Sequence, residues 1–274
     1  MQKTKFALSI VSAAALLTLA ACGGGGGGDS APAAQQPATP TPPAPTITVQ
    51  GNATAVTADP LAAIFVPTDA TSRGLSAHAG VTASAPASLQ ATTPEGAYKT
   101  LGGNQATVVS LTSGTIAEVS GNGSYAIGRW TNGATTQGSI SVNQGAHYAV
   151  GKPLVLPRTP GPVANLVCSL LSSTNPTAVS GNFPTGKVNI ATAQISLGGP
   201  GIDSFAIDVA IGSDAHATAT TTGAPITGAH LAPAGTFQFE TLGTDTANPL
   251  LAVGYTIPSP SSGDVSGVVV LSCQ

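Results

Sequence analysis

The stretch SFAIDVAIG, Ser204–Gly212, decides the fold. Phe205, Ile207, Val209 and Ile211 fall on one side of an extended chain, with Ser204, Ala206, Asp208 and Ala210 on the other. Strict alternation of this kind marks a strand buried on one face. TFQFETL repeats it, setting Phe237 and Phe239 against Gln238 and Glu240. Outward from these two segments the same period marks residues 107–111, 116–120, 125–130, 139–142, 147–150, 163–171, 187–197, 250–257 and 265–272. Turn signals such as SGNGS, TNGAT, GGPGID and SPSSGD separate them. KVNIATAQISL changes phase along its length, which predicts a bulge near Ala191 to Ala193.

Short strands with no amphipathic helix between them predict an all-β fold. The expected architecture is an antiparallel up-and-down β-barrel of about eight strands over residues 105–274, because closure removes unpaired edges. A β-sandwich is the alternative. Short strands and few aromatic residues argue against a membrane-spanning barrel. Residues 47–104 carry a weaker pattern and are expected to form an irregular N-terminal segment. Within it, ITVQGNATAV predicts a small hairpin about Gly51-Asn52. TPEGAYKTLG predicts a short helix capped by Thr93, with Pro94 in its first turn and Gly102 ending it. The intervening SAHAGVTASAPASLQATT is expected to be partly disordered.

Charged residues make up 7% of the chain, against about 25% in an average domain. The net charge is −3, with no Lys/Arg cluster, so nucleic acid is not an expected partner. Gly, Ala, Thr, Ser and Val dominate, as in secreted β structure.

The N-terminus reads as an address. Lys3 and Lys5 precede an apolar run from Phe6 to Ala20, too short for a comfortable membrane span of about 20 residues. This has the form of a secretory signal over residues 1–21. The boundary Leu19-Ala20-Ala21-Cys22 resembles the bacterial lipobox, and that resemblance implies Cys22 carrying palmitate-type acyl chains. Gly23, rather than Asp, after the cysteine implies the outer membrane. The alternative is an ordinary cleaved signal with an incidental cysteine. Gly23 to Gly28 and the Pro/Ala-rich APAAQQPATPTPPAPT then make residues 22–46 a hinge and a stiffer stalk. The membrane, through the lipid, is thus the first expected partner.

With Cys22 assigned to lipid, Cys168 and Cys273 remain. Cys168 shares a strand side with Leu166 and Leu170, and Cys273 with Val265, Val269 and Leu271. Both point to an apolar face, and a disulfide is expected in an oxidising compartment; two buried free thiols are the alternative.

Catalytic chemistry is poorly represented. His78, His147, His216 and His230 lack metal-ligand spacing, and no Gly-x-Ser-x-Gly elbow occurs. His147 reads as a strand-surface residue and His216, near Asp214, as part of a hairpin tip. No cofactor is implied and no enzyme is expected. Arg129-Trp130 contains the single tryptophan; adjacent strand residues face opposite ways. Trp130 either fills the barrel or, with Arg129, anchors a ligand or partner.

GNGSYAIGRWTNG, GAHYAVGKP and LLSSTNPTAVSGNFPTGKVNI follow one another from Gly121 onward. Their Gly-Arg-Trp, His-Tyr and Thr-Asn-Pro-Thr elements resemble the β-barrel domains of Gram-negative surface lipoproteins of the transferrin-binding-protein-B type, and similar barrels that extend some FecR-like proteins. The resemblance implies a lipid-tethered barrel that binds rather than catalyses. With few charges and one barrel's worth of strands, capture of a host iron protein is not implied. The expected function is an outer-membrane lipoprotein, surface-exposed or facing the periplasm, with a protein or small-ligand partner. A lipocalin-like periplasmic carrier is the first alternative and a hydrolase the second.

Overall fold

A computed structural model describes residues 46–74, 82–159 and 165–274. The signal segment, Cys22, the tether up to residue 45 and His78 lie outside the described residues. The described strands build two sheets within one compact unit, Ala44–Gln274.

The first sheet is a curled half-barrel. It contains β1 (Ile47–Thr54), β2 (Leu61–Val66), β3 (Thr82–Ala85), β4 (Ala91–Thr92), β5 (Tyr98–Leu101), β6 (Val109–Asn122), β7 (Tyr125–Thr135), β8 (Gly138–Ile140) and β9 (Ala146–Gly151). The order is β3-β2-β9-β7-β6-β5-β4, with β8 beside the end of β7. β1 lies parallel to β6, while the other pairs are antiparallel. The second sheet contains β10 (Asn165–Ser173), β11 (Thr177–Ala178), β12 (Lys187–Ser196), β13 (Gly201–Ile211), β14 (Asp214–Pro225), β15 (Gly228–Ala232), β16 (Gly235–Leu242), β17 (Leu250–Ser259) and β18 (Gly263–Cys273). Its order is β14-β13-β12-β10-β18-β17-β16-β15.

Read around its circumference, the second sheet is an up-and-down meander of eight strands whose last strand, β18, returns to pair with its first, β10. It is a nearly closed barrel. Cys168 and Cys273 face each other directly in the closing ladder, and their sulfurs are bonded at 2.07 Å. Phe205, Phe237 and Phe239 meet in the interior, with ring centroids 5.5 to 6.2 Å apart. The interior is a packed core that also takes in Tyr255, Leu271 and both cysteines.

The two sheets share a third apolar layer. Ala62, Ile64 and Val66 of β2, Ile127 of β7 and Ala149 of β9 pack on the outside of β16 to β18, against Leu242, Ala252, Val268 and Val270. This explains a pattern that alternation alone does not. β12 to β14 have one face in solvent and read buried–exposed in turn. β16 and the central parts of β17 and β18 are covered on both faces, so GVVVL is nearly continuously apolar.

Several expectations are corrected. The barrel spans residues 165–274, and the strands between 109 and 151 belong to the half-barrel. Residues 47–104 are not an irregular segment: they supply five of its strands. Gly51 does not turn a hairpin. It sits in β1 at φ 96°, where a Cβ would lie 2.3 Å from the Val119 carbonyl oxygen. TPEGAYKTLG forms no helix. Gly96 at φ 77° closes a turn, with its N–H donating to Thr93 O, and β5 starts two residues later. The phase change in β12 falls earlier than expected, between Val188 and Ile190, leaving Ile190 exposed.

Candidate functional site

Of the residues that sequence reasoning singled out, Arg129 and His147 meet where the half-barrel joins the barrel. Their geometry begins with Glu118. β6 bulges between Ala117 and Ser120, and Glu118 adopts φ 56°, a conformation rare outside glycine and asparagine. The bulge re-aims its carboxylate toward Arg129 on β7. Arg129 Nε donates to Oε2 at 2.9 Å and Nη2 to Oε1 at 2.5 Å, a bidentate pair. Oε2 also accepts the Asn175 N–H at 2.9 Å, from the segment joining β10 to β11.

His147 lies on β9 directly opposite Arg129. It is fully buried, not a strand-surface residue as expected. Nδ1 is 2.8 Å from Thr174 Oγ1 and Nε2 is 2.9 Å from Thr177 Oγ1. Thr174 Oγ1 donates on to Val268 O. The network therefore favours the tautomer with hydrogen on Nδ1, with the Thr177 hydroxyl donating to Nε2. Burial, and then the Arg129 charge, hold the imidazole well below its usual pKa, so it stays neutral. Thr174 also takes the Val268 N–H at 3.1 Å, and Thr177 belongs to β11, which pairs with β18. Arg129 of Gly-Arg-Trp, His147 of His-Tyr and Thr174, Asn175 and Thr177 of Thr-Asn-Pro-Thr thus join with Glu118 in one clasp from β6, β7 and β9 to the barrel wall. With both ring nitrogens engaged and no exposed surface, His147 has no route to a substrate.

Trp130 takes the other face of β7. It is fully buried, its indole N–H donates to Tyr98 O at 2.8 Å, and its ring lies 5.3 Å from Phe65 and 6.4 Å from Tyr148. It fills the half-barrel core rather than the barrel, and it presents nothing to a ligand mouth. Arg129, at 5% exposure, is equally withdrawn. The expected binding pair is an internal one.

His216 is exposed on β14, and its Nδ1 lies 2.7 Å from Asp208 Oδ2. Asp214 does not engage it. It accepts instead from the Ser259 hydroxyl and from the Ser261 N–H and hydroxyl, joining two hairpin tips and lowering its own pKa to about 2. His230 lies on β15 opposite Phe237. Among the described residues, no three His, Cys, Asp or Glu side chains gather into a metal site.

The barrel wall away from the half-barrel is open. Thr192, Gln194, Thr218, Thr220 and Thr222 project from it, with Val167 and Ile190 among them at 58% and 55% exposure. This is a hydroxyl-rich face with two apolar points, and its charged groups are few, Lys187 and the Asp208–His216 pair among them. Glu118 was missed by sequence reasoning, and Thr174 and Thr177 entered it only as ends of the Thr-Asn-Pro-Thr element, with no role assigned. The one legible signal was a lone Glu in the apolar run IAEV. Comparison with protein-family models, with curated protein sequences and with solved structures finds no match to this chain.

Proposed function

We infer that this chain is an outer-membrane-anchored lipoprotein whose barrel is a non-catalytic binding or surface-interaction module. The observation that carries this reading is the packed barrel interior, where Phe205, Phe237, Phe239 and Tyr255 leave binding to the outside. The open face of β12 to β14 offers hydroxyls and isolated apolar side chains, a composition suited to a neutral partner surface. The signal segment, Cys22 and the tether supply the address, and acyl chains at about 0.8 kcal/mol per buried CH₂ supply the hold. Kinship with surface lipoproteins of the transferrin-binding-protein-B type is part of the proposal. Its support is that each of the three motif elements contributes to one clasp, through Arg129, His147 and Thr174 to Thr177.

The same packed interior weighs against a lumenal lipocalin-like carrier. The locked His147 and the exposed His216, with no serine hydroxyl bonded to it among the described residues, weigh against a hydrolase. The test is the N-terminal peptide of protein purified from the producing cell. A diacylated or triacylated Cys22, with the chain released to the soluble fraction by Cys22→Ala, is the expected result. An unmodified Cys22 overturns the anchored reading.

A further inference from the structure

The barrel ladder is interrupted between its neighbours in sequence, β14 and β15. Prolines frame the gap: Pro225 ends β14, Pro200 lies in the turn before β13, and Pro153 lies in the strap that follows β9. A proline has no N–H to extend a ladder. β16 continues past β15, and the strap takes β15's place: Leu154 N–H donates to Thr241 O at 3.0 Å, and Gly243 N–H donates to Lys152 O at 2.9 Å. The strap covers the seam without filling it. Between them lies a cavity of about 170 Å³, walled by Leu154, Leu156, Pro200 and Ile226. Val155, 87% exposed, also lines it and holds an apolar side chain out to solvent.

One acidic group lines this apolar space. Glu240 is 2% exposed, and its Oε2 has no hydrogen-bond partner among the described residues. No Lys, Arg or His among them forms an ion pair with it. Burial alone pushes its carboxyl up to about 8. A buried, unpartnered carboxyl is costly in any fold, and the half-barrel clasp makes no use of this one.

We propose that the seam cavity binds a small apolar molecule bearing one primary ammonium group, with the ammonium paired to the Glu240 carboxylate and the hydrocarbon against Leu154, Leu156 and Ile226. An ammonium supplies the charge-assisted N–H donors that the carboxylate lacks. The volume sets the size, since an apolar cavity of about 150 Å³ takes a benzene-sized molecule. Benzylammonium is therefore a matched probe, and benzyl alcohol is its neutral counterpart. The site is independent of the membrane anchor, so its failure would leave the lipoprotein reading untouched.

The experiment is a titration of the full-length, methyl-labelled protein, following the Ile226, Leu154, Val155 and Leu156 methyl resonances. Benzylammonium is expected to give saturable shifts confined to these methyls. Glu240→Gln, which keeps size and shape, should weaken binding at least tenfold, and benzyl alcohol should bind at least tenfold more weakly. Ile226→Trp, which fills the space but keeps the carboxyl, should abolish the shifts, with unchanged Cys168 and Cys273 amide resonances showing an intact barrel. Shifts that never saturate, equal affinity for benzyl alcohol, or undiminished binding by Glu240→Gln would each overturn the proposal.

Discussion

Each sheet lays a tyrosine across a glycine on the neighbouring strand. In the half-barrel Tyr148 of β9 covers Gly128 of β7, and in the barrel Tyr255 of β17 covers Gly267 of β18. A Cβ at Gly128 would lie 2.3 Å from the Tyr148 hydroxyl, and one at Gly267 would lie 2.4 Å from that of Tyr255. Glycine is required at both places by close approach, and the ring fills the space its missing side chain leaves. The two hydroxyls differ. Tyr148 accepts the Tyr98 N–H at 3.1 Å, whereas the Tyr255 hydroxyl has no partner among the described residues. The half-barrel is held by two polar anchors on aromatic groups, Tyr148 to Tyr98 and Trp130 to Tyr98, and by the Arg129–Glu118 ion pair. The barrel is held by a closing ladder, a disulfide and an apolar interior. One region depends on a few specific side chains, the other on repetition.

The largest expected break in this contrast is Trp130→Ala. It removes the central ring of the half-barrel and the indole N–H that donates to the Tyr98 carbonyl. A loss of about 3–5 kcal/mol is expected from denaturant midpoints. A loss below 1 kcal/mol would mean that the half-barrel does not rest on its aromatic anchors.

Next is Cys168→Ala with Cys273→Ala. The bond closes a separation of 105 residues, so the chain-entropy account gives at most about 4–5 kcal/mol. A loss of about 2–4 kcal/mol is expected, with amide exchange rising first along β10 and β18. Faster exchange confined to the half-barrel would contradict the division of labour.

These barrel features were the legible ones. Phe205 to Ile211 showed their buried face in the sequence because solvent lies on the other side of β13. The side-sharing of Cys168 and Cys273 was legible for the same reason. β16 to β18 were legible as strands but not as the layer that carries a second sheet, since two-sided burial erases alternation. The half-barrel was harder. β1 has a short apolar side, Ile47 and Val49, that stops at Gly51, and β6 bulges at Gly114 and Glu118, so period-two reading breaks up what is one strand of fourteen residues. Arg129 could be noticed, but its partner depends on a positive φ at Glu118 that no spacing announces. Glu240 looked like the solvent side of TFQFETL, until the half-barrel and the strap covered that side.

A third test uses pH. Glu240 keeps its proton in the fold up to about pH 8, while its ordinary value is 4.5. Between these values the unfolded chain holds fewer protons, so this group makes stability fall as pH rises. His147 acts in the other direction: its ring stays neutral when folded, so stability falls as pH drops below its usual 6.5. Comparing variants separates the two. Glu240→Gln should gain about 2 kcal/mol relative to the native chain between pH 5 and pH 7, at a slope of up to about 1.4 kcal/mol per unit. A difference that does not change with pH would place the carboxyl in water.

The smallest effect sharpens the opening contrast. Gly128→Ala and Gly267→Ala both displace a tyrosine ring, at about 1–3 kcal/mol each. Gly128→Ala should cost about 1 kcal/mol more, because it also breaks the Tyr98 N–H bond. Equal losses would show that the Tyr148 hydroxyl contributes nothing.

The proposed function requires a barrel held by lipid outside the cytoplasm, with its partner-facing surface outside the barrel lumen. The most direct measurement is an epitope placed near Ser261, in the turn between β17 and β18, probed on intact cells with antibody and external protease. Permeabilised cells and Cys22→Ala serve as controls. A surface protein is expected to label on intact cells and to lose that labelling in Cys22→Ala; one facing the periplasm is expected to label after outer-membrane permeabilisation and to move to the soluble fraction in Cys22→Ala. Labelling that appears only after the inner membrane is opened, or that stays membrane-bound in Cys22→Ala, would contradict the proposed function.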